Sequence, residues 1–155
     1  MNYAKDLLGD DGNVILDLLT IIWQKCNYGD KINKLSYAEK VIYLVGDVET
    51  EVNNGGFSQY LYNSSGKYAK EAVEALKTIG ANHTAALLED AIEIYKNGPT
   101  NDGRNNPEVD LTDEQEEKLN ELDNRFYEYK DDLYALQLKF IKKNINEFRL
   151  IDKIK

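Results

Sequence analysis

Cysteine, histidine, methionine and tryptophan each occur once in the 155 residues, and proline twice. A single thiol, Cys26, excludes an intramolecular disulfide framework and a cysteine-rich zinc cluster. Its apolar setting, IIWQKC, reads as a buried thiol in a reducing compartment. The lone histidine, His83, has no partner nucleophile at a recognisable spacing and no Glu-x-x-His pair, so neither a His-based triad nor a carboxylate-bridged metal site is expected. GDDGN and NDGRNNPEVD lack the closing Glu of a calcium loop, and no glycine-rich phosphate loop with its Lys is present, so no metal or other cofactor is expected. Long hydrophobic runs are also missing: Val14 to Trp23 is broken by Asp17 and Thr20, and the N-terminal residues carry no charged-then-apolar leader. A cytoplasmic protein without a membrane partner is the expectation. Positive charge is scarce as well, with 19 Lys and Arg against 28 Asp and Glu and a formal net charge of -9. Such a surface repels phosphates, so direct binding to nucleic acid or to an anionic membrane is not expected.

What the chain does have is helical periodicity. From Asn13 to Cys26 the polar exceptions Asp17, Thr20 and Gln24 fall on one narrow stripe, which predicts a mostly buried helix. Ser36 and Glu39 have capping-box spacing, and Ala38, Val41, Val45, Val48 and Val52 then step by three and four. That places Glu39, Asp47 and Thr50 away from the packing face, with Asn53 to Gly56 as the stop. A short aromatic helix over 56–62, a fourth over Lys67 to Ile79 closed by Gly80, and a fifth capped by Asn82 with Ala85, Leu88, Ala91, Ile92 and Tyr95 inward complete the first part. Residues 96–110 hold both prolines and read as a loop. Thr112 and Gln115 form another capping-box pair, followed by the seam Leu119, Leu122, Phe126, Tyr129, Leu133, Leu136 and Phe140. It belongs to one long helix or to a pair broken near Asp131. Six or seven helices and no convincing strand predict a single all-α domain over 1–155.

The run NNGGFSQYLYNSSG, Asn53 to Gly66, is richer in amides and hydroxyls than a helix junction needs. One reading is a structural corner, with Gly55 and Gly56 at a tight bend, Asn53 or Asn54 as a cap, and Gln59 and Asn63 one turn apart. The other is a polar pocket for a small ligand or peptide, conceivably enzymatic, to which Glu49, Asn53, Asn54, Gly56, Gln59, Asn63 and Ser64 contribute. From Val48 through Tyr95, the NNGGF-x-Q-Y-L-x-N-S-S-G core and the helix pair after it resemble the DNA-mimic-protein-19-like family, a domain family without a common assigned function. The C-terminal segment LDNRFYEYKDDLYALQLKFIKKN also resembles it, so the likeness runs from about Ser36. The resemblance implies an all-helical fold. From the best-known member it also implies an acidic dimeric protein that occupies the DNA-binding surface of a transcription regulator. It carries over no partner-contacting residue.

Charge is segregated along the chain. Residues 108–132 carry 11 acidic side chains against Lys118, Arg125 and Lys130, whereas 133–155 are net basic through Lys139, Lys142, Lys143, Arg149, Lys153 and Lys155. At about 100° per residue, Asp113, Glu117, Glu121, Glu128 and Asp132 share about 100° of arc opposite the apolar seam. They form either a solvated face or a ridge for a basic protein surface such as that of a DNA-binding regulator. The basic tail could meet such a ridge on a second copy, giving a homodimer. The expected function is that of a noncatalytic acidic interaction protein. The polar pocket is the alternative, and an immunity-type or antitoxin-type inhibitor shares the same binding physics.

Overall fold

The computed structural model describes residues 14–63, 67–96 and 111–148, and among them every regular element is helical. Six α-helices follow one another: α1 (Val14–Lys25), α2 (Tyr37–Tyr62), α3 (Ala69–Thr78), α4 (Asn82–Lys96), α5 (Asp113–Tyr127) and α6 (Leu133–Lys143). Short 3-10 turns stand at Ile32–Lys34 and Ile145–Glu147. The all-α expectation holds, and the C-terminal seam belongs to a pair of helices. Ser64 of the polar run, the loop over 97–110 and the basic residues from Arg149 onward lie outside the described residues.

Central to the packing is α2, which touches α1, α3, α4 and α5, while α4 also packs on α3 and α5, and α6 on α1. One core results. Ile22, Ile42, Phe57, Tyr60, Leu76, Leu88, Leu119, Ile141 and Phe148 are essentially sealed from water within it. Each such side chain contributes about 1.5–3 kcal/mol relative to exposure. Close approach of α1 to α2 depends on Gly46, where an added Cβ would stand 2.5 Å from Leu19 Cδ2. Asp17, Thr20 and Gln24 are exposed, so α1 keeps the wet stripe its periodicity predicts.

Both capping boxes form. Glu39 N–H donates to Ser36 Oγ at 3.1 Å while Ser36 N–H donates to Glu39 Oε1 at 2.9 Å, and Thr112 and Gln115 repeat the arrangement on α5. The Glu39 side chain nevertheless departs from expectation: it is buried, because Lys25 at the end of α1 meets it at 2.6 Å. Asp47 is likewise half-buried rather than turned to water, accepting from the Trp23 indole at 2.8 Å. At the end of α3, Gly80 N–H donates to Lys77 O and Ala81 N–H to Leu76 O, the paired closure expected of a C′ glycine. Asn82 does not cap α4. It is the first residue of the helix, and the Thr84 amide and hydroxyl donate instead to Asp131 Oδ2, at 2.8 and 2.9 Å. A carboxylate from the α5–α6 junction therefore occupies the positive end of α4.

The seam breaks at Tyr129, whose φ of 48° turns the chain before Asp132 caps α6 through the Ala135 amide. Tyr129 is thereby lifted to the rim of the core, its ring 5.5 Å from that of Phe126.

Candidate interaction surface

The polar run interrupts α2 at the stop expected over Asn53 to Gly56, and two helical segments meet there at a kink. Gly55 and Gly56 leave helical geometry, and helical backbone resumes at Phe57. Gly56 takes φ 80° and ψ 178°, a region that side chains with a Cβ rarely enter. The first amide after the bend, Phe57 N–H, donates to Asp123 Oδ1 of α5 at 2.8 Å. Asp123 therefore takes the capping role that the sequence offered to Asn53 or Asn54, and the edge-to-face pair of Phe57 and Phe126, 5.7 Å apart, packs beneath it.

The predicted polar residues separate into two sets. Glu49 accepts from the Tyr129 hydroxyl at 2.9 Å and from Gln137 Nε2 at 3.3 Å, and Asn53 Nδ2 donates to that same tyrosine oxygen at 2.7 Å. This set ties α2 to the α5–α6 junction. Burial, followed by the Glu49 charge, pushes the Tyr129 phenol up to about 12 against the opposing pull of Asn53. Tyr127 supplements the tie by donating to Val52 O at 2.8 Å. Gln59 Nε2 and Asn63 Nδ2 belong to the second set and converge on Glu51 Oε2, at 2.9 and 2.8 Å. Asn54 is exposed and Gly56 buried. Sequence reasoning missed Glu51, although its position eight residues before Gln59 and twelve before Asn63 was the available signal once a bend at Gly55 and Gly56 was expected.

Beside the second set runs an open trough of about 640 Å³ between α2 and α5, lined by Ser58, Gln59, Tyr62 and Asn63 on one side and Glu116, Leu119 and Asn120 on the other. Farther round α5, a second concave strip of about 740 Å³ faces α4. Asp90 and Glu93 of α4 share it with Glu114 and Glu121 of α5, but Lys118 and Arg125 also line it. Those cations pair with Glu114 at 3.2 Å and with Glu121 at 3.4 Å.

All five residues of the predicted ridge are exposed. Asp113, Glu117 and Glu121 lie along α5, and Glu128 follows at its C-cap, 4.0 Å from Lys130. Asp132 stands beyond the Tyr129 turn as the cap of α6 and is not carried on the α5 arc. Asp123 and Asp131 of the acidic run are spent inside the fold as caps for α2 and α4. Asp90 and Glu93 extend the acidic face onto α4, an addition that requires knowing that α4 and α5 are neighbours. Cys26 is sealed from solvent, and desolvation raises its thiol pKa, the opposite of an activated nucleophile. No described helix is long and apolar enough to cross a membrane.

Desolvation also raises the Asp123 carboxyl above its ordinary 3.8, the Phe57 amide pulling it partway back. The folded state thus binds this proton more readily than the unfolded chain, so ionised Asp123 costs stability above its folded pKa. That cost fades as pH falls through the raised value toward 3.8. Asp123→Asn keeps an acceptor for Phe57 and removes the charge. It is expected to stabilise the protein by up to about 1 kcal/mol at neutral pH. Urea unfolding should show the advantage shrinking by about pH 4. A variant less stable at neutral pH would show that the charge-assisted bond outweighs burial.

Comparisons with curated proteins and with solved structures give no match. The family model described as DMP19-like protein matches residues 33–144, which take in α2 through α6, the bend at Gly56, both polar sets and the acidic helix. The chain belongs to the DMP19-like protein family.

Proposed function

We propose that the protein is a noncatalytic acidic binder of the cytoplasm that occupies the basic, DNA-binding surface of a regulatory protein as a DNA mimic. The observation that carries this reading is the exposed carboxylate face of α5. Asp113, Glu114, Glu116, Glu117 and Glu121 rise over about 12 Å, and with Lys118 and Arg125 paired against two of them the net density is about one charge per 4 Å, comparable with that of one phosphate strand. A helix presents these charges on a rigid frame. Steering by the summed field accelerates encounter, and charge-assisted hydrogen bonds to Lys and Arg hold the complex. Membership of the DMP19-like family is consistent with such a role.

The test is retention of a DNA-binding protein from cell lysate on the immobilised chain. Retention is expected at low salt and should be lost at high salt or on adding duplex DNA. Glu117→Lys, Glu121→Lys and Glu128→Lys, combined, change exposed positions only. The triple variant should keep the wild-type circular dichroism spectrum and bind at least about tenfold more weakly. Undiminished binding by that variant would assign the face to solvation alone.

A further inference from the structure

The trough between α2 and α5 differs in chemistry from the acidic strip facing α4. Among the described residues that line it, Glu116 is the one charged side chain, with no Lys or Arg beside it. The side chains of Glu116 and Asn120 make no hydrogen bond or ion pair among the described residues, which leaves their oxygens as acceptors for a ligand. On the opposite wall the amides of Gln59 and Asn63 are fixed by their shared partner. Glu51 only accepts, so both NH2 groups turn to it and both carbonyl oxygens are left as acceptors. Gln59 Oε1 lies against Gly55, which also lines the trough. Tyr62 adds an aromatic ring 48% exposed.

Several oriented acceptors, one unpaired carboxylate and an aromatic face form the complement of a planar cation with many N–H donors. A lysine ammonium, with three donors on a compact charge, uses such a site less fully than a guanidinium, which presents five donors in a plane and stacks on rings. We propose that this trough is a receptor for an arginine side chain of the partner protein. The inference rests on the reading that the partner is a basic protein, and it names one anchoring side chain at a place separate from the α5 ridge. Pinning by Glu51 lowers the cost of binding, because neither amide must be ordered when the guanidinium arrives.

The experiment titrates the full chain with a blocked Gly-Arg-Gly peptide, with citrulline and lysine versions as controls, and follows backbone and side-chain amide resonances by NMR. The arginine peptide is expected to shift the side-chain amides of Gln59, Asn63 and Asn120. The neutral citrulline peptide should shift them little, and the lysine peptide should bind more weakly than arginine. Glu116 is exposed, so Glu116→Gln is expected to keep the wild-type fold, checked by circular dichroism. It should weaken arginine binding about three- to tenfold. At high salt, which screens the long-range field, the triple ridge variant should still show arginine-induced shifts of the three amides that Glu116→Gln diminishes, so the trough and the ridge can fail separately. Three results would each overturn the proposal: no shift at the three amides, equal binding of citrulline and arginine, or loss of peptide binding in the ridge variant with Glu116→Gln unaffected.

Discussion

Gly56→Ala is expected to destabilise the protein by about 3 to 5 kcal/mol, a large share of the 5–15 kcal/mol that holds a typical domain together. Two independent causes act at this residue. Its φ of 80° and ψ of 178° lie where a Cβ is strained, at a cost of about 1–3 kcal/mol. The same Cβ would also strike the Asp123 carboxylate, which must then move away from the Phe57 amide. Leaving that amide unpaired adds about 1–3 kcal/mol. Gly55→Ala is the internal control. Gly55 has φ -156°, open to any residue, but its Cβ would meet the Gln59 side-chain amide and, at 2.9 Å, the Gln59 Cβ, so Gln59 must shift and give up its bond to Glu51. With no backbone strain to add, a loss of about 1–2 kcal/mol is expected there. Denaturant unfolding of both variants, and of each combined with Asp123→Ala, separates the causes. In the Asp123→Ala background the clash is gone, so Gly56→Ala should cost only its backbone strain. A Gly56→Ala loss no larger than that of Gly55→Ala would show that the bend is not held in this conformation.

The helices were legible because their signals are local. Ser36 with Glu39 and Thr112 with Gln115 announce helix starts within four residues, and Gly80 announces an end in the same way. The joints between helices use partners far apart in sequence. Asp131 reaches Thr84 across 47 positions, Asp123 reaches Phe57 across 66, and Glu147 reaches Ala38 across 109. Nothing in a linear pattern distinguishes these carboxylates from the solvated ones around them. The acidic run from Glu108 to Asp132 therefore reads as one feature, although the fold divides it into caps and exposed face. The polar motif divides for a related reason. Glu49 and Glu51 are two positions apart on a helix, about 200° around its axis, so they gather different neighbours. Gln59 and Asn63 follow Glu51, while Asn53 joins Glu49 through Tyr129. The corner residues Gly56 and Phe57 and the trough residues Gln59 and Asn63 thus come from one motif, with the capping carboxylate supplied by α5.

Removing the cation from the buried pair at the α1–α2 junction is expected to be nearly as damaging as filling the bend. Lys25 Nζ lies 2.6 Å from Glu39 Oε1, with side-chain exposures of 9% and 0%. Lys25→Met leaves a carboxylate in the core whose Oε1 keeps only the Ser36 amide and whose Oε2 has no hydrogen-bond partner. Breaking a buried pair from one side typically costs about 3–5 kcal/mol, and the positive end of α2 offsets part of that here, so a loss of about 3 kcal/mol is expected. Glu39→Gln added to Lys25→Met should recover most of it, because a glutamine at this position still completes the capping box while the uncompensated charge is gone. The effect should change little between low and high salt, unlike that of the exposed Lys40–Glu71 pair at 3.0 Å, since mobile ions do not reach a sealed carboxylate. Urea unfolding of the two single variants and the double variant, at two ionic strengths, measures the coupling directly. Additive losses in the double variant would show that Lys25 contributes through its packed hydrocarbon stem, with the charge of Glu39 satisfied by other means.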